Sequence, residues 1–147
     1  MRKIWSKMLF CTVVLAALAG CRSTPNEALI RQGIEAAANA AEHAHAAALG
    51  DVLSEDFDGN AGALARSDLL QLLRAAAFRG ETIHTLTGPV EIEQRGARYV
   101  ARFTVTLTSG GKLLPAQMGV YKVETAWRRD GREWHCYSAT WTSVGQD

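Results

Sequence analysis

Residues 127–135 read WRRDGREWH, and this stretch decides how the second half of the chain folds. The Asp-Gly pair at 130–131 favours a tight turn because both residues tolerate the positive φ that two-residue hairpin loops require. The flanking segments, 117–127 and 133–142, are rich in aromatic and β-branched residues, which are typical of strands. The stretch therefore predicts an antiparallel hairpin that closes the fold.

Apolar and polar residues alternate in the segment before this hairpin, which predicts another strand over 99–108. One face of that strand would carry Tyr99, Ala101, Phe103, Val105 and Leu107. A shorter alternation at Val90 and Ile92, closed by Arg95-Gly96, predicts a strand ahead of it. The second half of the chain therefore predicts about four antiparallel strands.

The first half of the chain predicts two helices. Residues 24–27, Thr-Pro-Asn-Glu, form a helix start with a capping threonine, a proline in the first turn and a glutamate three positions after the cap. The apolar spacing continues to about Leu49, and Gly50 is a suitable stop. Residues 54–62 are turn-like, and a second helix capped by Ser67 ends near Gly80. Helices followed by strands indicate an α+β domain.

This order of elements resembles the NTF2-like superfamily, which includes SnoaL-like and ketosteroid-isomerase-like proteins. The similar features are the long Ala- and Glu-rich first helix, the loop at 54–57, the short second helix and the closing Trp-x3-Gly-x2-Trp pattern from Trp127 to Trp134. The resemblance covers nearly all of residues 27–147. It implies a cone in which N-terminal helices pack on a curved antiparallel sheet.

The first twenty residues have the composition of an export signal. Arg2, Lys3 and Lys7 give a basic start, and an apolar run follows from 8 to 19. A run of about 12 residues is too short for a bilayer-spanning helix, which needs roughly 20. We therefore expect residues 1–20 to be a signal peptide.

The end of the apolar run, residues 18–21, reads LAGC and resembles the lipobox of bacterial lipoproteins. It implies that Cys21 carries acyl chains such as palmitate, and that 21–26 form a short tether to the domain. A plain signal peptide with a coincidental cysteine is the alternative. Because Arg22, not an aspartate, follows the cysteine, enterobacterial sorting rules favour the periplasmic face of the outer membrane.

Removal of the signal would leave Cys136 as the thiol that is not acylated, so no intramolecular disulfide is expected. The mature chain would keep 13 of the 16 Lys and Arg residues against 15 Asp and Glu residues. It has no basic stripe. These features exclude nucleic acid as an expected partner.

The resemblance implies a pocket between the first helix and the inner face of the sheet. The imidazole and aromatic side chains that are candidates for lining it are His45, His84, Tyr99, Phe103, Tyr121, Trp127, His135 and Trp141. The aromatic residues of the last two strands could instead form ordinary core or pair with a second copy of the chain. A homodimer therefore stays open.

No arrangement of residues predicts catalysis or a metal site. His43 and His45 lie about 200° apart around a helix and cannot bind one ion. The carboxylates of 51–58 do not have EF-hand spacing, and Ser138 is not in a G-x-S-x-G elbow. His135 and Cys136 are neighbours in a strand, so their side chains point to opposite faces. We expect no cofactor, no metal and no catalytic residue.

Together these features predict a lipid-anchored protein of the bacterial envelope. Its domain is expected to bind a small apolar ligand or an envelope component without catalysis. An adaptor or dimerisation module is a second interpretation. An enzyme similar to SnoaL-like proteins or ketosteroid isomerase, with His45 transferring a proton, is a third.

Overall fold

A computed structural model describes residues 24–111 and 114–145. The expected signal peptide and the expected acylation site, Cys21, lie outside the described residues. The described elements follow in this order: α1 (Pro25–Glu42), α2 (Ala46–Val52), β1 (Leu53–Gly59), β2 (Leu64–Ala65), α3 (Arg66–Phe78), β3 (Thr82–Thr87), β4 (Glu91–Arg95), β5 (Arg98–Gly111), β6 (Leu114–Asp130) and β7 (Glu133–Ser143).

One mixed sheet contains all these strands, in the order β2-β1-β7-β6-β5-β3, with β4 also paired to β5. The long antiparallel ladder β5-β6-β7 forms its centre, as the hairpin and alternation patterns predict. The pair β1-β7 is parallel, so the sheet is not antiparallel throughout. The α+β class is confirmed. The expected antiparallel sheet is corrected to a mixed sheet, because of this one parallel pair.

The single helix predicted from residue 24 to about 49 is divided in two. Thr24 caps α1 as predicted, because its hydroxyl accepts a hydrogen bond from the Glu27 N–H at 3.3 Å. The helix ends at Glu42 because Ala44 has a left-handed backbone with φ of 49°. Alanine is the best helix former, so no residue type at this position indicates the break.

Two further corrections concern the segment after α2. Residues 54–62, predicted to be turn-like, belong mostly to strand β1, which pairs with both β2 and β7. The next helix begins at Arg66, one residue before the predicted cap at Ser67. Its first turn is stabilised by Asp68, whose carboxylate accepts a hydrogen bond from the Ala65 N–H at 2.9 Å.

The core lies between the helices and one face of the sheet. Its largest fully buried side chains are Ile30 of α1 and Trp127 of β6, which are 0% and 2% exposed. Tyr99 of β5 is also buried and meets Trp134 edge to face, with ring centroids 5.2 Å apart. Helix α1 thus covers the middle of the sheet, and this contact positions the cavity described below. None of the described helices is both long enough and apolar enough to span a membrane.

Candidate ligand-binding cavity

A cavity of about 190 Å³ lies between α1 and the inner face of the sheet. Its walls are almost entirely apolar. Helix α1 contributes Ile34, Ala37 and Ala38, and α2, β1 and α3 contribute Leu49, Val52, Leu53, Phe57 and Leu69. The central strands contribute Phe103, Val105, Trp127, Cys136, Ala139 and Trp141. The small alanines of α1 leave this space open, because larger side chains there would fill it.

Strand register explains why these side chains meet on one face. In β5 and β6, Tyr99 lies opposite Trp127, and directly opposed residues in an antiparallel pair project to the same side. Between β6 and β7 a bulge falls after Ala126, so that Thr125 faces Ala139 while Trp127 faces Cys136. The bulge adds one residue to β7, which lets residues three positions apart both face the cavity.

Trp127 forms the floor of the cavity and is held on two sides. Its indole Nε1 donates a hydrogen bond of 2.8 Å to the hydroxyl of Thr125, which is itself buried. On the other side α1 approaches so closely that a Cβ added at Gly33 would lie 2.7 Å from the indole ring. The ring orientation is therefore fixed by a hydrogen bond and by packing.

Among the described lining residues, Cys136 is the one titratable group. Burial is the main cause that raises the pKa of its thiol to about 12. Its sulfur lies 3.3 Å from the Ser138 carbonyl oxygen, to which the thiol donates. At neutral pH this side chain is a neutral thiol and therefore a poor nucleophile.

At the β3 edge the lining is polar. Thr85 is hydrogen-bonded to Glu42 of α1. The Glu42 carboxylate accepts from the Thr85 backbone N–H at 2.8 Å and from the Thr85 hydroxyl at 3.1 Å. These bonds lower the pKa of Glu42, since they favour its charged form. Thr87, also in the lining, is not engaged by Glu42. Its hydroxyl is therefore a candidate polar contact for a bound molecule.

The structure brings together three of the residues predicted to line a pocket, Phe103, Trp127 and Trp141. The others lie elsewhere. His45 is exposed at the break between α1 and α2, and His84 is exposed on β3. Tyr99 is buried core, while Tyr121 and His135 are half-buried; none of them is part of the lining. The apolar residues of α1 were missed because no aromatic or titratable group marks them, and Phe57 of β1 was missed because its segment was predicted to be turn-like.

His135 instead lines a separate polar cleft of about 560 Å³ between α2, α3 and the β6-β7 turn. Its Nδ1 lies 3.5 Å from Asp130 and its Nε2 lies 3.6 Å from Glu133. Arg66 lines the same cleft and donates a hydrogen bond of 2.9 Å to the Gly50 carbonyl. Among the residues that the structure describes, no group of three or more His, Cys, Asp or Glu side chains could hold a metal ion.

No protein-family model matches the sequence, and a search of curated proteins finds no match. Solved structures are nevertheless similar over most of the chain. A proposed scytalone dehydratase from Novosphingobium aromaticivorans has a TM-score of 0.73 at 12% identity, covering 81% of this chain and 84% of that one. An NTF2-like protein with a cystatin-like fold from the same organism has a TM-score of 0.66 at 18% identity, covering 82% and 83%.

A third similar structure is a proposed Ca/calmodulin-dependent kinase II association domain from Exiguobacterium sibiricum. It has a TM-score of 0.71 at 10% identity and covers 87% of this chain and all of that one. At these identities the likeness concerns the fold and not the activity. The order of elements agrees with these structures, and the predicted fold is confirmed: the chain has an NTF2-like fold.

Proposed function

We propose that this chain is a lipid-anchored envelope protein whose NTF2-like domain binds a small, neutral, largely apolar molecule without transforming it. The cavity between α1 and the sheet is the observation that supports ligand binding. Its walls are apolar except for Thr85, Thr87, Thr125 and the neutral thiol of Cys136. A charged ligand would lose its hydration there without gaining a partner, which makes its binding unfavourable.

The volume of the cavity also limits the size of the ligand. Its volume of about 190 Å³ is below the roughly 300–1,000 Å³ typical of drug-sized ligand sites. The ligand is therefore smaller than a drug-like molecule. One hydrogen-bonding group, placed at the β3 edge, could reach the hydroxyl of Thr87.

The chemistry of the lining supports binding without catalysis. General acid–base catalysis at neutral pH works best with a group whose pKa lies near 7. The pKa of Cys136, at about 12, is far from that range. The hydroxyl proton of Thr125 is also engaged, because it is donated to the Ala101 carbonyl at 3.4 Å while the oxygen accepts from Trp127.

The first experiment is native mass spectrometry of residues 22–147, purified from the native host without detergent. A reproducible extra mass that extracts into organic solvent supports the binding module and identifies its ligand. A clean protein mass, combined with no binding of neutral apolar probes to the purified domain, contradicts it.

A matched pair of variants assigns binding to the cavity. Ala38→Phe fills the space from α1, and we expect it to weaken ligand or probe binding at least tenfold. Ala36→Phe makes the same change on the exposed face of the same helix. It should leave binding unchanged. Equal effects of both variants would place the ligand elsewhere.

The anchor is supported by the basic start, the short apolar run and the LAGC sequence ending at Cys21. Metabolic labelling with an alkyne-bearing fatty acid tests it directly. We expect the wild-type protein and Cys136→Ser to incorporate the label, and Cys21→Ser to lose it. Label retained in Cys21→Ser would contradict acylation at this residue.

A second candidate function is an adaptor that self-associates through the outer sheet face. One observation favours it: Leu86 and Met118 are 71% and 76% exposed. Leu86 pairs with Thr106, which pairs in turn with Val120, so these side chains lie on one face. Light scattering of the purified domain tests this function. A dimer that Leu86→Lys converts to a monomer would support it, and a wild-type monomer would exclude it.

A further inference from the structure

Two turns at one end of the sheet carry arginines. The β4-β5 turn is bounded by Arg95 and Arg98, and the β6-β7 turn lies between Arg129 and Arg132. Because Tyr99 of β5 is opposite Trp127 of β6, both turns lie at the same end of the two strands. We call Arg95, Arg98, Arg129 and Arg132, all of them exposed, the arginine tip.

Most of the positive charge of the arginine tip is uncompensated. Arg95 is paired with Glu93 at 3.2 Å. Arg98, Arg129 and Arg132 form no ion pair with another described residue. Asp130 lies next to Arg129 in the sequence, but its carboxylate already contacts other residues. One oxygen is 3.0 Å from Nε of Arg128 and the other is 3.5 Å from Nδ1 of His135.

The direction of α1 places the start of the domain at this same end. Gly33 of α1 packs on Trp127, whereas Glu42, at the end of α1, is bonded to Thr85 of β3. Thr85 pairs with Leu107, eight residues along β5 from Tyr99. Helix α1 therefore runs away from the arginine tip, and its first residues lie roughly 13 Å further towards the tip than Gly33.

The chain outside the structure is very short between the expected anchor and this helix. Three peptide units separate Cys21 from Thr24, the first described residue. Even when fully extended they span at most about 11 Å. An acylated Cys21 therefore holds the first turn of α1 within about 11 Å of the bilayer surface, a distance comparable to the Debye length of roughly 8 Å at physiological salt.

Other carboxylates also lie near this end, and one of them, Glu27, is in the first turn of α1. Asp51 and Glu55 line the polar cleft beside Arg66 and belong to neither turn. Glu133 follows the β6-β7 turn and lies 3.6 Å from His135. Residues 95–98 and 129–132 together hold four arginines and one carboxylate, Asp130.

We propose that the arginine tip rests on anionic phospholipid headgroups, so that the domain stands with its strand ends towards the membrane and its opposite end away from it. This inference rests on the proposed acyl anchor. The arginine guanidinium can donate two parallel N–H hydrogen bonds to the oxygens of one phosphate, which suits the phosphate of a lipid headgroup. The lipid chains supply attachment and the arginine tip supplies orientation.

The test uses the full-length protein after lipidation, in vesicles of about 30% phosphatidylglycerol and about 70% phosphatidylcholine. The ionic strength is roughly physiological, so that only charges close to the surface interact. One fluorophore is attached at Ala97→Cys in the β4-β5 turn, and in a second protein at Met118→Cys, an exposed residue of β6. Cys136 is buried and stays unlabelled. Energy transfer to a dye in the bilayer then reports how far each label lies from the membrane.

We expect strong transfer from Ala97→Cys and weak transfer from Met118→Cys. Along the strand direction the two sites are separated by about 11 residues, or roughly 36 Å. In vesicles of pure phosphatidylcholine, or in the double variant Arg129→Gln and Arg132→Gln, the difference should shrink. Gln71→Ala, on the exposed face of α3, is the control and should keep it.

Flotation of the vesicles distinguishes the two ways in which the idea could fail. Protein that floats with the vesicles but shows equal transfer from both labels overturns the orientation and leaves the anchor standing. Protein that does not float with them overturns the anchor, and the orientation with it.

Discussion

At Gly33 a hydrogen atom occupies a place where any other residue would put a carbon 2.7 Å from the indole of Trp127. The ring cannot swing away, because it is buried and bonded to Thr125. We expect Gly33→Ala to lower the free energy of unfolding by about 1–3 kcal/mol, although alanine favours helix at other positions. Urea denaturation measures this change.

Gln32→Ala, on the exposed side of α1, provides the comparison. It introduces the same side chain one residue earlier, where nothing opposes it, and should alter the free energy of unfolding by no more than about 0.5 kcal/mol. A stabilised Gly33→Ala would mean that α1 can move away from Trp127 at little cost.

Asp56 links β1 to β6 through a two-pronged contact with Arg128, with N–O distances of 2.7 and 2.9 Å. The Arg128 guanidinium, helped by the Ser54 hydroxyl, holds the pKa of Asp56 well below its usual value of 3.8. A lowered pKa in the folded state means that the contact stabilises the fold above pH about 4 and that this stabilisation is lost as the pH falls further.

We therefore expect the urea midpoint of the wild type to fall more between pH 7 and pH 3, values on either side of about 4, than that of Asp56→Asn. Asp51→Asn removes an exposed carboxylate of α2 that has no described ion pair, and it should behave as the wild type does. Identical pH dependence in all three proteins would show that the Arg128 contact does not stabilise the fold.

The break between α1 and α2 depends on Ala44, which has a φ of 49°. Glycine adopts this left-handed backbone without the steric cost that a Cβ brings. We expect Ala44→Gly to raise the free energy of unfolding by about 1 kcal/mol. Thermal or urea denaturation would measure this change.

The same substitution within α1 should have the opposite sign. Ala36→Gly, at an exposed helical position, should lower the free energy of unfolding by about 1 kcal/mol. If Ala44→Gly also destabilises the domain, residues 43–45 would belong to a continuous helix, as the sequence pattern predicts.

Elements with local signals could be predicted from the sequence. The alternation in β5, the Asp130-Gly131 turn and the cap at Thr24 all depend on neighbouring residues. Strand β1 could not be predicted, because two consecutive exposed carboxylates, Glu55 and Asp56, interrupt the alternation, and its pairing with β7 is irregular at the same place. The break at Ala44 was missed because tertiary packing outweighs helix propensity there.

The cavity was predicted in part, for a related reason. Aromatic residues are conspicuous in a sequence, and Phe103, Trp127 and Trp141 do line the space. The alanines of α1 create the space through their small size, which residue type alone does not reveal. His135 was misplaced because the bulge after Ala126 changes the alternation along β7.

At the scale of the whole domain, residues from both halves of the chain line the cavity. Because tryptophan is among them, ligand binding can be followed through tryptophan emission. Trp141 lines the cavity and Trp134 does not. We expect a neutral aromatic probe such as 1-aminoanthracene to quench emission from the wild type by energy transfer. The quenched fraction should fall in Trp141→Phe and persist in Trp134→Phe. Loss of quenching in Trp134→Phe alone would place the probe outside the cavity.

The parallel pairing of β1 with β7 joins segments about 80 residues apart, and β7 is the last of the described strands. The loop between such partners must close before their contacts form, which delays completion of the domain. A ribosome releasing this chain therefore delivers α1, α2 and β1 long before the strand that they need. Until β7 has been synthesised the sheet stays incomplete, because β1 lacks its parallel partner and β2 is joined to the sheet only through β1.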